Sequence, residues 1–374
     1  MGWRGNLLRA AVLASSLAAG PVRAEPQLEP VARLTVGGGY DSNVLFDGRS
    51  DQMTRVSPEV GVKLRDHLWD VNGVYALDYL RYQQLRPDGV WNQRGSLAFS
   101  ATPTERTTVT GGVRTIFAND PVGLAQVGIF RSGEQRAFLL QGNGRAEYAA
   151  DHRLVVAGTF SERLVEFQDG TGGTMHAPTL ELLRALNERL LVGGAYAFTL
   201  FDDPQSGSRL AYANGLRARL RYKVSRFVEA DVFAGPALWT GPGAGGRSIV
   251  PEVGAELRLV ERDWDLRVSA AHSLGLGSTT AAPALVNYLE MGTVRQFGRK
   301  FDVKSDGGIW QTGDVPTGRD ATVGFALAGE VGWHVSRQFR LALAGAYVAR
   351  LDDSSPLLRR TTVGIQLGWE LPVR

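Results

Sequence analysis

The sequence predicts an all-β chain: a transmembrane antiparallel up-and-down β-barrel of about 18 strands. Three observations predict it. Tight polar turns recur at a nearly constant spacing. The stretches between them alternate apolar and polar residues with period two. The connections come in two unequal lengths, with aromatic residues gathered at the strand ends.

The turns come first. Arg65-Asp66-His67, Thr104-Glu105-Arg106, Asp151-His152-Arg153, Asn187-Glu188-Arg189, Ser225-Arg226, Arg262-Asp263, Gly298-Arg299-Lys300 and Ser336-Arg337 follow one another at intervals of 38, 47, 36, 38, 37, 37 and 37 residues. Between each pair lies a longer stretch rich in Gly, Pro, Asp and Ser, such as Asp202–Gly207 or Gly241–Gly246. Short turn, strand, long loop, strand, short turn is a chain of antiparallel hairpins. The flanks alternate as half-buried strands do. In Arg209–Lys223 one face is Leu210, Tyr212, Leu216, Leu220 and Tyr222, and the other carries Arg217, Arg219, Arg221 and Lys223. The strands then read roughly as 31–44, 53–66, 67–82, 93–103, 107–119, 136–150, 152–167, 173–186, 189–202, 209–223, 227–240, 247–261, 264–277, 284–297, 300–313, 321–335, 338–352 and 358–371. Alternation is poor at 173–186 and 284–296, where a bulge or register irregularity is expected.

The polarity of the faces selects a membrane barrel. A sandwich or small soluble barrel buries apolar side chains inside. Here the inner face carries Arg, Glu, Asp, Lys, Gln and many of the 46 glycines, so it needs water and the apolar face needs lipid. Trp69, Tyr148, Tyr222, Phe227, Trp264, Trp333, Phe339 and Trp369 lie near the short turns, and Phe117, Phe167, Phe201, Trp239 and Tyr347 near the long loops, as two interfacial girdles would. A soluble periplasmic propeller would need apolar residues on both strand faces, which the arginine-rich face opposes. An even strand number places both ends of the barrel segment on the periplasmic side.

Charge and composition exclude other classes. The chain has 41 basic and 38 acidic residues, and Arg4, Arg9 and Arg23 in the first 24 residues account for the excess. The remainder is near neutral, so no nucleic-acid partner is expected. There is no cysteine, which removes disulfides and thiol chemistry. A mean hydropathy of −0.11 excludes a helical membrane bundle. Residues 1–24 read as a signal peptide, 25–30 as a short periplasmic lead-in and 31–374 as the barrel of an outer-membrane protein.

For chemistry, the five histidines form no metal-ligand spacing, and neither metal nor other cofactor is expected. The best catalytic grouping is His176 with Asp169 or Ser161, a weak case for an enzyme. Gly241–Gly246 matches a phosphate loop in composition only. The functional set is instead the inward-facing charges: Lys63, Asp70, Asp78, Arg145, Glu147, Arg217, Arg219, Arg221, Glu229, Asp231, Glu252, Glu256, Arg258 and Arg267, with Asp265, Glu330 and Arg340. They line a polar path carrying both signs, suited to a neutral or weakly charged hydrophilic solute. The Arg217/Arg219/Arg221 ladder beside Glu229, Asp231, Glu252 and Glu256 suggests a field across the pore.

The first strand ends in Tyr40, Asp41, Ser42 and Asn43, within Gly39–Val44, followed by a loop. This motif, with the strand number, resembles the Gram-negative outer-membrane barrels found with exopolysaccharide gene sets, including the eighteen-stranded barrels of myxobacterial export machines. The resemblance implies a polysaccharide substrate passed from periplasm to cell surface. It also implies a periplasmic polysaccharide-export protein as partner, fed by an inner-membrane chain-length regulator. Outer-membrane lipid, lipopolysaccharide and the barrel assembly machinery are the other expected partners, although the chain closes on Glu370–Arg374 rather than on the usual terminal aromatic. A general diffusion porin or small-solute channel is the alternative, followed by an outer-membrane enzyme and a structural or adhesion barrel. A diffusion porin needs a long loop folded inward. Residues 120–135 are the available segment, and they are oddly apolar for that task.

Overall fold

The computed structural model describes residues 26–44, 48–119, 122–125, 127–130, 136–202, 210–241, 247–279, 281–315, 321–352 and 355–371. The signal segment and Glu25 lie outside them, as do residues 242–246 of the glycine-rich loop. Eighteen strands follow in order: β1 (Gln27–Asp41), β2 (Asp51–Arg65), β3 (Trp69–Tyr82), β4 (Val90–Thr104), β5 (Thr107–Ala118), β6 (Ala137–Ala149), β7 (Leu154–Phe167), β8 (Gly172–Ala185), β9 (Leu190–Asp202), β10 (Ala211–Lys223), β11 (Val228–Thr240), β12 (Arg247–Glu261), β13 (Trp264–Leu276), β14 (Pro283–Phe297), β15 (Phe301–Gly313), β16 (Thr322–His334), β17 (Phe339–Asp352) and β18 (Ser355–Glu370). One helical turn, α1 (Val122–Ala125), lies between β5 and β6. Each strand pairs antiparallel with its sequence neighbours, and β1 pairs with β18, from Arg33↔Glu370 to Asp41↔Thr362. The sheet therefore closes on itself, and no strand of it presents an open edge.

Curvature tells the inner face from the outer one. Side chains on next-nearest strands meet only on the concave side. Arg145 on β6 reaches Glu181 on β8 at 3.0 Å, Arg217 on β10 reaches Glu252 on β12 at 2.8 Å, and Arg340 on β17 contacts Asp302 on β15. That parity is the bore. The opposite parity is greasy and open: Ile249 is 72% exposed, Leu216 65%, Leu180 60% and Ile365 59%. A cylinder with an apolar skin and a charged interior is stable only across a lipid layer with water inside, so the chain is an outer-membrane barrel. The outward arginines of the described strands, Arg81, Arg184, Arg247, Arg295 and Arg359, sit toward strand ends. Arg295 lies over the rings of Trp264 and Phe297. At the short-turn end Trp69, Tyr148, Tyr222, Trp264, Trp333, Phe339 and Trp369 face outward, whereas Phe227 lies in the turn before β11, where its carbonyl accepts the Val260 N–H.

Four of the short turns share one device. Asp151 Oδ1 accepts the backbone N–H groups of Arg153 and Leu154 at 2.6 and 2.8 Å. Asn187, Ser225 and Ser336 accept N–H groups two and three residues on in the same way. Asp, Asn and Ser recur at the turn because their short acceptors replace a ladder carbonyl there.

Three expectations are corrected. Residues 27–30, read as lead-in, belong to β1, with Gln27–Pro30 opposite Val62–Arg65. Two prolines in six residues obscured an alternation in which Leu28 faces out. The registers of β8 and β14 run without a shift, so neither 173–186 nor 284–296 contains a bulge. Their alternation is blurred because inward residues there, Met175 on β8 and Tyr288 on β14, pack in apolar clusters inside the bore. Register shifts occur instead in the β4–β5 pair between Ala101 and Thr104 and in the β17–β18 pair between Arg350 and Asp352.

The two N–H donors hold the Asp151 carboxyl below the usual carboxylate range. A depressed folded pKa means the turn gains stability above the unfolded value of about 3.9 and loses it as the pH falls through the lower folded value. Amide exchange at 150–154 is expected to accelerate along that descent, and Asp151→Asn, which keeps an acceptor but cannot titrate, is expected to remove the pH dependence.

Candidate functional site: the bore and its plug

The site is built by register. On the long-loop side, three inward positions that elsewhere carry charge carry apolar groups: Phe167 on β7, Phe201 on β9 and Trp239 on β11, all essentially fully buried. These were expected in the outer aromatic girdle. They point into the bore instead, because they share the parity of Arg163, Thr199 and Asp231 on their strands. Phe117 and Tyr347 do face outward.

What buries them is the segment after β5. Leu124 and Ile129 pack with inward residues of β5 to β13, including Ile116, Leu139, Phe201 and Trp239. Ala125 and Phe130 pack with Trp310, Ala326 and Val348 of β15, β16 and β17. The segment thus spans the bore from wall to wall. Arg163 of β7 donates to the Val127 carbonyl at 2.6 Å and Arg350 of β17 to the Phe130 carbonyl at 3.1 Å.

A second piece comes from the β13–β14 hairpin. Pro251, which has no N–H, sits at the outer end of the β12–β13 ladder, and pairing stops at Val253↔His272. Beyond it the Glu252 carboxylate accepts the Leu274 N–H at 3.5 Å, and Leu274, Leu276 and Ala281 are buried in the apolar cluster. The tip crosses to β8, where a Cβ on Gly173 would lie 2.2 Å from the Ala281 carbonyl. The two pieces are joined: Phe130 N–H donates to the Ser278 carbonyl at 2.8 Å. Gly324 leaves room for the Phe130 ring, which its Cβ would meet at 2.1 Å. The outer end of the bore therefore holds a compact apolar plug.

Below it the bore is polar and paired. Each charge expected to line the path lies on the inward parity. Glu181, 1% exposed and not singled out from sequence, takes Arg145 and Arg219. Arg219 also meets Asp231 at 2.7 Å, and Arg221 bridges Glu147, Glu229 and Asp231 at 3.3 to 3.4 Å. Arg267 pairs with Glu256 at 3.0 Å, and Asp70 with Arg65 at 3.0 Å. Asp78 is held by Arg55, Ser57 and Arg94. Arg340 joins Asp302 and Glu330. Lys63 stands opposite Asn72, and Arg258 opposite Arg267 and Glu229. The arginine ladder is neutralised on its own wall, so the expected field across the pore does not arise from it. On the other wall lies a cavity of about 980 Å³ lined by Arg33, Glu59, Arg94, Asp306, Glu330 and Arg340 among others. It lies toward the short-turn, periplasmic end.

The motif of the first strand closes the seam. Asp41, 0% exposed, accepts from the 2% exposed Arg360 of β18 at 2.5 to 3.0 Å and from the Tyr82 hydroxyl of β3 at 3.2 Å. Ser42 Oγ accepts the Thr361 N–H, and Asn43 bridges the Arg359 carbonyl and the Gly48 N–H. Tyr40 faces outward. His176 also faces outward, 3.7 Å from Glu162, while Ser161 faces the bore and Asp169 binds Thr171 within its own turn. The three expected catalytic groups do not converge.

No protein-family model and no curated protein sequence matches the chain. Solved structures similar to it include OccAB4 of Acinetobacter baumannii, at 7% identity over 93% of this chain and 99% of that one, with a TM-score of 0.42. A bacterial polysaccharide outer membrane secretin is similar at 11% identity over 91% and 99%, TM-score 0.33. The siderophore receptor PirA of Pseudomonas aeruginosa is similar at 10% over 93% and 81%, TM-score 0.40. The likeness is one of fold.

Removing one partner of a buried ion pair costs about 3–5 kcal/mol. Asp41→Ala is therefore expected to lower the stability of the detergent-solubilised barrel by about that amount, measured by urea unfolding. A surface change such as Arg226→Gln is expected to shift it by less than about 0.5 kcal/mol.

Proposed function

We propose that the barrel is a gated conduit that passes a polysaccharide from periplasm to cell surface. One observation supports this above the others: the bore is asymmetric, polar toward the periplasm and filled by an apolar plug at the outer end. A saccharide chain entering from below meets carboxylates and guanidinium groups that are largely satisfied by one another. They offer hydrogen bonds without a deep well, and conduction needs entry without trapping. Opening must expose Leu124, Ile129 and Phe130. At about 1.5–3 kcal/mol each this costs roughly 5–9 kcal/mol, so the closed form dominates until something stabilises the open one. The periplasmic polysaccharide-export protein suggested by the first-strand motif is the natural source of that energy.

The small-solute porin is the second reading, favoured by one observation: residues 122–125 and 127–130 lie in the bore, as part of a constriction loop would. Their side chains Leu124, Ile129 and Phe130 make apolar contacts that reach both walls, which suits closure more than sieving.

Two experiments test the reading. In a strain lacking the gene, surface polymer is expected to fall and periplasmic polymer to accumulate; unchanged surface polysaccharide would defeat export. In planar bilayers the wild-type barrel is expected to conduct rarely. Gly324→Leu, or replacement of 120–135 by a short Gly/Ser linker, is expected to raise mean conductance by at least about tenfold, the ratio that about 1.4 kcal/mol of lost closure produces. Steady wild-type conductance with a small-sugar cut-off would instead establish the porin.

A further inference from the structure

Immediately below the plug, two charged side chains stand outside the paired network. Arg114 lies on the inward parity of β5, one inward step below Ile116, which is buried in the plug. Among the described residues no carboxylate comes within ion-pair distance of it, and its neighbours across the ladders are Ser96 and Gln141, neither of them a counter-ion. Asp306 lies on the inward parity of β15, two inward steps below Trp310, whose ring packs against Phe130 at 5.6 Å. It likewise forms no ion pair among the described residues, and it lines the periplasmic cavity.

These strands are not neighbours. β5 and β15 stand eight steps apart around a ring of 18, which is nearly opposite. Arg94 of β4, the strand paired with β5, lines the periplasmic cavity together with Asp306. Arg114 and Asp306 therefore stand on opposed walls of the bore just beneath the plug. A guanidinium facing a carboxylate across a water-filled gap, between walls of low dielectric, produces a transverse field. The sequence placed such a field on the β10 to β12 wall, where local pairing cancels it.

We propose that Arg114 and Asp306 are the selectivity pair of the open conduit, orienting uncharged or zwitterionic saccharide units between them and disfavouring strongly charged polymers. The proposal rests on the conduit reading. Each charge attracts the solute group the other repels, so a residue with dipolar hydroxyls or with both signs is accommodated, and a polyanion is opposed by Asp306.

The test uses the full chain with 120–135 replaced by the Gly/Ser linker, in planar bilayers under a potassium chloride gradient. Arg114→Gln is expected to move the cation-to-anion permeability ratio toward cations by roughly two- to fivefold, and Asp306→Asn toward anions by a similar factor. The double variant is expected to return near the starting ratio, and Arg226→Gln in a periplasmic turn to leave it unchanged. A neutral dextrin is expected to traverse the parent more readily than an oligogalacturonate, with the difference reduced in Asp306→Asn. Permeability ratios indifferent to both single changes would overturn the pair while leaving the conduit standing. A linker variant that folds, shown by a heat-modifiable band, yet carries no current would overturn the conduit and the pair together.

Discussion

Everything in this molecule depends on one requirement: a backbone polar group in hydrocarbon must find its partner within the protein. Strands meet that requirement only by closing into a cylinder, and closure creates a concave and a convex face from what a flat sheet would leave equivalent. The concave face brings next-nearest strands within reach of one another. That is why Arg145 and Arg219 can both serve Glu181 across β6, β8 and β10. No such convergence exists outside, and the outer face carries Leu, Val, Ile and aromatic rings. The seam is the point where closure is decided. There Asp41 and Arg360 form an ion pair as deeply buried as any among the described residues, with Tyr82 from a third strand completing it. A motif that reads as a family signature is, physically, the clasp of the cylinder.

The plug follows from where the wall ceases to need ladder bonds. Pro251 cannot donate, so β13 leaves β12 early, and the hairpin above it is free to bend inward. Small inward residues then decide how far loops can enter. Gly173 and Gly324 are sites where any side chain would meet plug atoms. Arginine provides polar anchorage for chain that has left the sheet: Arg163 and Arg350 each hold a plug carbonyl that no strand could satisfy. Apolar burial and carbonyl capture together make the segment a substitute core, placed where a water-filled barrel would otherwise have none.

Much of this was legible in the sequence, because a β-barrel wall is nearly one-dimensional information. Turn residues such as Asp151, Asn187 and Ser225 punctuate it, and period-two alternation assigns each residue a face. The strands fall within a few residues of where they were expected, and every charge assigned to the bore stands on its parity. What alternation cannot convey is what lies beyond the wall on either face. Phe167, Phe201 and Trp239 were assigned by position near a strand end, although their parity with Arg163, Thr199 and Asp231 already pointed inward. The apolarity of 120–135 was visible, but its meaning required the distant partners Trp310, Ala326 and Val348. Likewise the pairing of Arg217 to Glu252 needs curvature, since these residues are 35 positions and two strands apart.

The chemistry of the bore also bears on the length of what it can carry. A row of unpaired charges of one sign gives a large gain for each repeating unit of an oppositely charged chain, and the gains add along its length until the polymer cannot leave. Pairing most guanidinium groups with a carboxylate on a neighbouring or next-nearest strand reduces those sites to weak dipoles. The sum over many repeating units of a polymer would then stay small. An isolated opposed pair at one level discriminates by charge without reintroducing that penalty, because it acts on one unit at a time. A wall largely neutralised along its length, with an opposed unpaired pair beneath the closure, would suit a long, weakly held chain. A small solute occupies few sites at once and exerts no such demand on the wall.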